Sequence, residues 1–216
     1  MRILAVNSFI SLDGVMQAPG GPDEDPTGAF TLGGWAVNYF DEEMMEQVAR
    51  SNPYELLLGR GTYEIFAAHW PYDDGPIADQ LNRTRKHVAS TTLEKVEWNN
   101  STLISGEVTE YVAELKSQDG PEIQVHGSPG LIQTLLEHDL IDEYRLWIFP
   151  VVVGPGKRFF GDGVVPGALK LVSSWVSSTG VTINTYERAG GIQVGDTEFE
   201  EPSEAELERR RSLVDA

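Results

Sequence analysis

The chain has 216 residues, 40% of them hydrophobic and 23% charged, which suits one domain with a sizeable core. It contains no cysteine, so disulfides, thiolate metal sites and a cysteine nucleophile are excluded. The formal charge of −18 argues against a nucleic-acid partner, whose phosphates demand a basic surface. The N-terminal apolar run is too short for a signal peptide. The apolar stretch at 146–153 contains Pro150 and is far below membrane-spanning length. These features predict a cytoplasmic protein with no membrane partner.

In chain order, residues 3–6 read as a buried first strand, followed by a loop around Ser11-Leu12-Asp13-Gly14. Residues 18–34 are rich in Gly, Pro and Asp without periodicity. A loop of that length in a compact domain is often functional or mobile. Phe40, Met44 and Val48 recur at helical spacing and predict a helix over 39–51, stopped by Asn52-Pro53. Residues 55–58 read as the second strand. Short helices are predicted over 62–68 and 77–83, and strands at 87–90 and 103–104. A helix through Val112 and Leu115 ends at Gly120-Pro121; a strand at 123–126 runs straight into a helix through Leu131 and Leu136. Residues 143–153 read as a long strand bent at Pro150. Two alternating segments, 170–176 and 181–186, predict an antiparallel hairpin. Early crossovers and a late hairpin make an α/β fold with a mixed sheet. Ala189-Gly190-Gly191 marks a domain edge, giving a domain over 1–188 and an acidic tail over 189–216. In that tail, positions 196–215 carry eight acidic residues, and Ser203 with Glu206 is a capping-box pattern opening a charged helix to about 214.

Two strand-turn-helix junctions carry small residues where a ligand's phosphates would approach. Leu58-Gly59-Arg60-Gly61-Thr62 offers free helix N–H groups, a hydroxyl at Thr62 and the planar guanidinium of Arg60. Val125-His126-Gly127-Ser128-Pro129-Gly130 before Leu131 lets the backbone come close to a ligand, and Ser128 can donate a hydroxyl. The other reading of either junction is an ordinary tight turn. Arg83, Arg85, Lys86 and His87 form the densest basic cluster before the tail, ahead of Ser90-Thr91-Thr92, and are a candidate anion site or a solvated helix end. His69, His87, His126 and His138 lack metal-like spacing, so no metal site is expected. Trp35, Tyr39, Phe66 and Trp70 are candidates for a substrate cleft or for the core.

Leu57-Leu58-Gly59-Arg60-Gly61-Thr62-Tyr63-Glu64 resembles the Gly-Arg-x-Thr-aromatic-Glu segment of dihydrofolate reductases. Val88-Ala89-Ser90-Thr91 resembles their short strand ending in serines, and Val125-His126-Gly127-Ser128 their pyrophosphate loop. The closer resemblance is to the C-terminal reductase domain of bifunctional riboflavin-biosynthesis deaminase-reductases and its stand-alone relatives. It rests on Ser11-Leu12-Asp13-Gly14 and on the late segment from Pro150 through Gly154-Pro155-Gly156 to Phe160, and it spans residues 1–188.

The resemblance implies a dihydrofolate-reductase-like fold: a central mixed sheet flanked by helices, with a C-terminal antiparallel hairpin. It implies NADP as cofactor, with Arg60 and Ser90 or Thr91 on the adenosine 2′-phosphate. Thr62 and the turn of His126, Gly127, Ser128, Gly130 and Leu131 would hold the pyrophosphate beside Gly59 and Gly61. Ala5, Val6 and the Ser11, Asp13, Gly14 loop would face the nicotinamide. Glu43, beside Asp41 and Glu42, would be the catalytic acid, the other reading being a dipole-compatible helix start; Asp13 is an alternative acid, a ribityl-chain ligand or a residue that shapes its turn. The expected reaction is hydride transfer to a small heterocyclic (pterin- or pyrimidine-like) or carbonyl substrate, in a homodimer. Lys157 and Arg158 are the remaining candidates for a substrate phosphate. A non-catalytic dinucleotide sensor or scaffold, or a flavin or deazaflavin in place of NADPH, are the alternatives.

Overall fold

A computed structural model describes residues 1–49, 52–162, 164–195 and 202–214. Its strands are β1 (Leu4–Ser11), β2 (Tyr54–Gly59), β3 (Lys86–Ala89), β4 (Ser101–Leu103), β5 (Glu122–His126), β6 (Glu143–Phe149), β7 (Leu169–Val176) and β8 (Thr182–Arg188). The helices are α1 (Glu42–Ala49), α2 (Arg60–His69), α3 (Pro76–Arg83), α4 (Val108–Ser117), α5 (Pro129–Glu137) and α6 (Glu204–Val214). The strands form one eight-stranded sheet in the order β4-β3-β2-β5-β1-β6-β8-β7. Pairing is parallel from β4 to β6 and antiparallel for β6–β8 and β8–β7. This is the mixed sheet with a terminal hairpin that the pattern of elements predicts.

Strand alternation divides the core. One face of the sheet (Leu4, Val6, Leu57, Ile123, Val125, Leu146) packs on Val112 and Leu115 of α4 and on Ile132 and Leu135 of α5. The other face carries two separate apolar clusters. Leu56 and Leu58 meet Tyr63 of α2 and Leu81 of α3, whereas Trp147 and Phe149 meet Met44 of α1. Trp35 and Tyr39 belong to this second cluster, edge-on to Phe149 at 5.4 and 6.1 Å, and Phe66 packs edge-on against Trp70 within the first.

Several expected boundaries move. The first strand, expected over 3–6, runs from Leu4 to Ser11, and the strand expected at 103–104 lies at Ser101–Leu103. The first helix begins at Glu42 rather than at 39. Residues Val37–Tyr39 form a 3-10 turn, and Asp41 Oδ1 accepts the Met44 amide at 2.8 Å as a helix cap; the expected end at 51 lies outside the described residues. The strand expected over 143–153 stops at Phe149, because Pro150 has no N–H to give the ladder. The helix expected over 62–68 starts at Arg60 and runs to His69. The basic run at 83–87 does not form one cation cluster. Arg83 and Arg85 are exposed, and the alternation of β3 sends Lys86 and His87 to opposite faces. Lys86 Nζ is buried against the Thr84 and Asn99 carbonyls and the Trp98 ring, while His87 lies between Glu55 and Tyr111. In the tail, Ser203 Oγ accepts the Glu206 amide at the start of α6.

Candidate functional site

β1, β2, β3, β5 and β6 run parallel, so their C-terminal ends share one edge of the sheet. Open α/β sheets bind ligands at such an edge. There the two glycine junctions lie side by side, because β2 and β5 are neighbours. They are locked reciprocally. The Gly59 amide donates to Ser128 Oγ at 2.9 Å, and the Ser128 amide donates to Thr62 Oγ1 at 2.8 Å. The lock demands close approach: a Cβ on Gly59 would lie 3.4 Å from Ser128 Cβ, and one on Gly127 3.3 Å from Thr62 Oγ1. Gly127 and Ser128 both adopt left-handed backbone (φ 55° and 64°), which turns the chain from β5 into α5.

Neither α2 nor α5 has a side-chain cap: Ser128 occupies the cap position of α5, but its hydroxyl serves Gly59 and the His126 carbonyl. Two helix N-termini with unsatisfied N–H groups therefore face the same edge, the arrangement that favours phosphate. Gly61 and Gly130 have nothing within 4 Å of an added Cβ, so the cradle is open at both helix starts. Leu131 is buried beneath it in the α5 core.

Arg60 stands beside this cradle, half exposed. Its Nη1 donates to Thr92 Oγ1 at 2.6 Å, and its Nε pairs with Glu64 at 2.8 Å. Ser90 Oγ accepts the Thr92 and Leu93 amides and shapes the turn after β3. The structure thus brings Ser90 and Thr92 to Arg60; Thr91 is exposed next to them. Thr92 is the residue missed from the sequence. Its only signal was membership of the Ser90-Thr91-Thr92 run.

The Ser11–Gly14 loop has a different character. Ser11 Oγ donates to Asp13 Oδ1 at 2.6 Å and accepts the Val15 amide. Asp13 also accepts the amides of Val153 at 3.0 Å and Gly154 at 2.8 Å, and Arg158 binds its backbone carbonyl and the Gly154 carbonyl. The Ser11 hydroxyl above all, then the two amides, hold the Asp13 carboxyl ionised down to about pH 2. Gly14 supplies the left-handed turn (φ 84°). Asp13 thus ties two loops together with both oxygens engaged. Glu43 is exposed in the first turn of α1, one residue before buried Met44.

Ala5 and Val6 are both fully buried and point to opposite faces of β1; Val6 is in the core under α5. Lys157 pairs with Asp25 at 2.6 Å and, with Gln17, anchors the 18–34 loop. A cavity of about 320 Å³ lies between that loop and the late glycine segment, lined by Gln17, Phe30, Leu32, Gly156 and Lys157. Among the described residues no group of three or more His, Asp or Glu could hold a metal ion, and no helix is long and apolar enough to cross a membrane.

The sheet order and the edge site define the dihydrofolate-reductase-like class of α/β folds. The family model of the RibD C-terminal domain matches residues 2–183, and the chain belongs to that family. It is 31% identical over 140 residues to YyaP of Bacillus subtilis (strain 168), covering 62% of this chain and 74% of that protein. It is 27% identical over 108 residues to YwjB of the same organism, covering 49% and 57%.

Solved structures agree on the fold. A Shewanella sp. PV-4 protein named for riboflavin biosynthesis superposes with a TM-score of 0.61 at 23% identity, over 88% of this chain and 99% of that one. A pyrimidine reductase-like protein of Corynebacterium diphtheriae gives 0.57 at 13%, over 87% and 92%. The dihydrofolate reductase of Enterococcus faecalis, complexed with NADP(H) and RAB-propyl, gives 0.54 at 16%, over 86% and 96%. At these identities the likeness is one of fold.

Proposed function

We propose that the chain is an NADPH-dependent reductase acting on a small heterocyclic or carbonyl substrate. The observation that carries this reading is the reciprocal lock between Thr62, Ser128 and Gly59, which sets two uncapped helix N-termini beside Arg60. A dinucleotide's pyrophosphate fits the open cradle at Gly61 and Gly130. The 2′-phosphate fits Arg60 with the Ser90 and Thr92 hydroxyls, Thr91 being one residue away. The relation to a family of reductases and to an NADP(H)-binding dihydrofolate reductase supports the choice of cofactor.

NADPH would supply the hydride. The protein's part is to bind, to orient and to exclude water. The loop containing Ser11, Asp13 and Gly14 is braced against Val153 and Gly154, which would fix one wall of the cleft. Asp13 is a positioning residue in this reading: a carboxylate ionised to about pH 2 has no proton to give at neutral pH. Exposed Glu43 is assigned no proton transfer, so the proton that completes the reduction comes from water. The same observation favours the second reading, a dinucleotide-binding protein without turnover.

Stopped-flow NADPH oxidation against a panel of pterin and pyrimidine substrates, alongside a binding titration, tests the choice. Turnover of one class supports the reductase; tight binding without oxidation across the panel supports the sensor. A bound flavin would show in the visible spectrum of the purified protein. The β7 edge, with Leu171 and Val172 each 50% exposed, is the surface on which a second copy would pair. The cytoplasm is the matching compartment.

A further inference from the structure

In this acidic chain α1, α3, α4 and α6 each carry Asp or Glu in the first turn, where a carboxylate complements the helix dipole. α2 and α5 carry none there, and these are the two helices whose N-termini face the glycine cradle. The one acidic residue of α2 comes a turn later. Glu64 stands four residues after Arg60, on the same face of the helix.

Glu64 is nevertheless engaged at the site, through Arg60. Its Oε1 accepts Arg60 Nε at 2.8 Å, while Arg60 Nη1 donates to Thr92 Oγ1 at 2.6 Å. A guanidinium grips an oxyanion best with two parallel N–H groups, and it has two such edges, Nε with Nη2 and Nη1 with Nη2. The first edge holds a carboxylate and the second a neutral hydroxyl. A phosphate arriving at the first must displace Glu64. A phosphate arriving at the second displaces only the Thr92 bond, but then shares one cation with Glu64, and the two anions repel. The side chains of Arg60 and Glu64 are 49% and 45% exposed, so little of the fold's stability depends on their pairing.

We propose that Glu64 is a specificity-determining residue for the ribose end of the cofactor: its carboxylate limits the grip of Arg60 on a 2′-phosphate and narrows the preference for NADPH over NADH. A carboxylate accepts a hydrogen bond from a ribose 2′-hydroxyl, whereas it opposes a phosphate at the same place. Arg60 and Glu64 therefore pull in opposite directions. The ratio of the two affinities is set by the pair and not by Arg60 alone. The proposal rests on the placement of the 2′-phosphate at Arg60 and adds the residue that works against it.

The test is fluorescence titration of the full chain with NADPH and with NADH, on the wild type, Glu64→Gln and Arg60→Ala. Glu64→Gln keeps the length and a neutral acceptor but removes the charge. It should bind NADPH about three- to ten-fold more tightly and NADH no more tightly, while melting within about 2 °C of the wild type. A glutamate that only braced α2 would shift the melting temperature and leave the ratio of the two affinities where it was. Unchanged or weaker NADPH binding in Glu64→Gln, or an equal gain for NADH, overturns the proposal; if Arg60→Ala still weakens NADPH, the cofactor reading stands without it. Should Arg60→Ala leave NADPH affinity unchanged, the cofactor reading fails and the proposal falls with it.

Discussion

Thr62 Oγ1 accepts the Ser128 amide at 2.8 Å, joining two turns separated by 66 positions in the chain. The bond matters because each turn by itself is an ordinary start of a helix. Joined, they hold two dipole ends at a fixed spacing. Thr62→Val keeps the shape and deletes the acceptor, leaving the Ser128 amide unpaired. The expected cost is about 1–3 kcal/mol, read as a fall in melting temperature of about 2–4 °C per kcal/mol for a domain of this size. NADPH affinity should fall with it. A Thr62→Val protein with unchanged melting temperature and affinity would show that the lock contributes nothing.

Asp13 is expected to act on geometry rather than as an acid. Asp13→Asn should lower the melting temperature at neutral pH and reduce turnover, without removing a titration from the pH–rate profile. The stability term has a definite sign. The folded carboxyl titrates at about 2, below its unfolded value, so the contribution is present above about pH 4. It is lost as pH falls toward 2. Chemical denaturation as a function of pH should show this loss in the wild type and not in Asp13→Asn. Loss of a basic limb from the rate profile of the variant would instead identify Asp13 as a proton donor.

His126 gives a second pH dependence in a higher window. Its folded value is depressed to about 4 by burial and then by Arg145, so the neutral form is favoured by folding. Stability from this term is present above the unfolded value of about 6.5 and declines as pH falls toward 4. His126→Gln should flatten the stability curve between those limits. Direct titration of the histidine by NMR with a midpoint near 6.5 would contradict this.

The edge strand β7 is the expected dimer surface. Leu171 is 50% exposed on a strand that, among the described residues, is paired only on its β8 side. Light scattering of the wild type should give about twice the 23.8 kDa chain mass, and Leu171→Glu should give a single chain. A wild type that stays monomeric at high concentration removes this surface from consideration.

The fold was legible because alternation and helical spacing are strong along this chain, and because the strand-to-helix turns carry glycines. What was illegible depended on contacts between distant segments. Pro150 ended a strand that its apolar neighbours extend, since a missing N–H outweighs side-chain pattern. The basic run at 83–87 read as one patch because sequence order hides the alternation that buries Lys86 and His87 on opposite faces. Asp13 read equally as an acid, a ligand or a turn residue, because two of its amide donors, Val153 and Gly154, come from about 140 residues away.

The central claim is that the edge site holds a 2′-phosphorylated dinucleotide at Arg60. The most direct measurement is a pair of titrations, NADPH and NADH, on the wild type and Arg60→Ala. If Arg60, which also pairs with Glu64, binds the 2′-phosphate, the variant should bind NADPH at least ten-fold more weakly and NADH unchanged, a loss of about 1.4 kcal/mol or more. Equal affinities for both cofactors in the wild type, undisturbed by Arg60→Ala, would contradict the assignment.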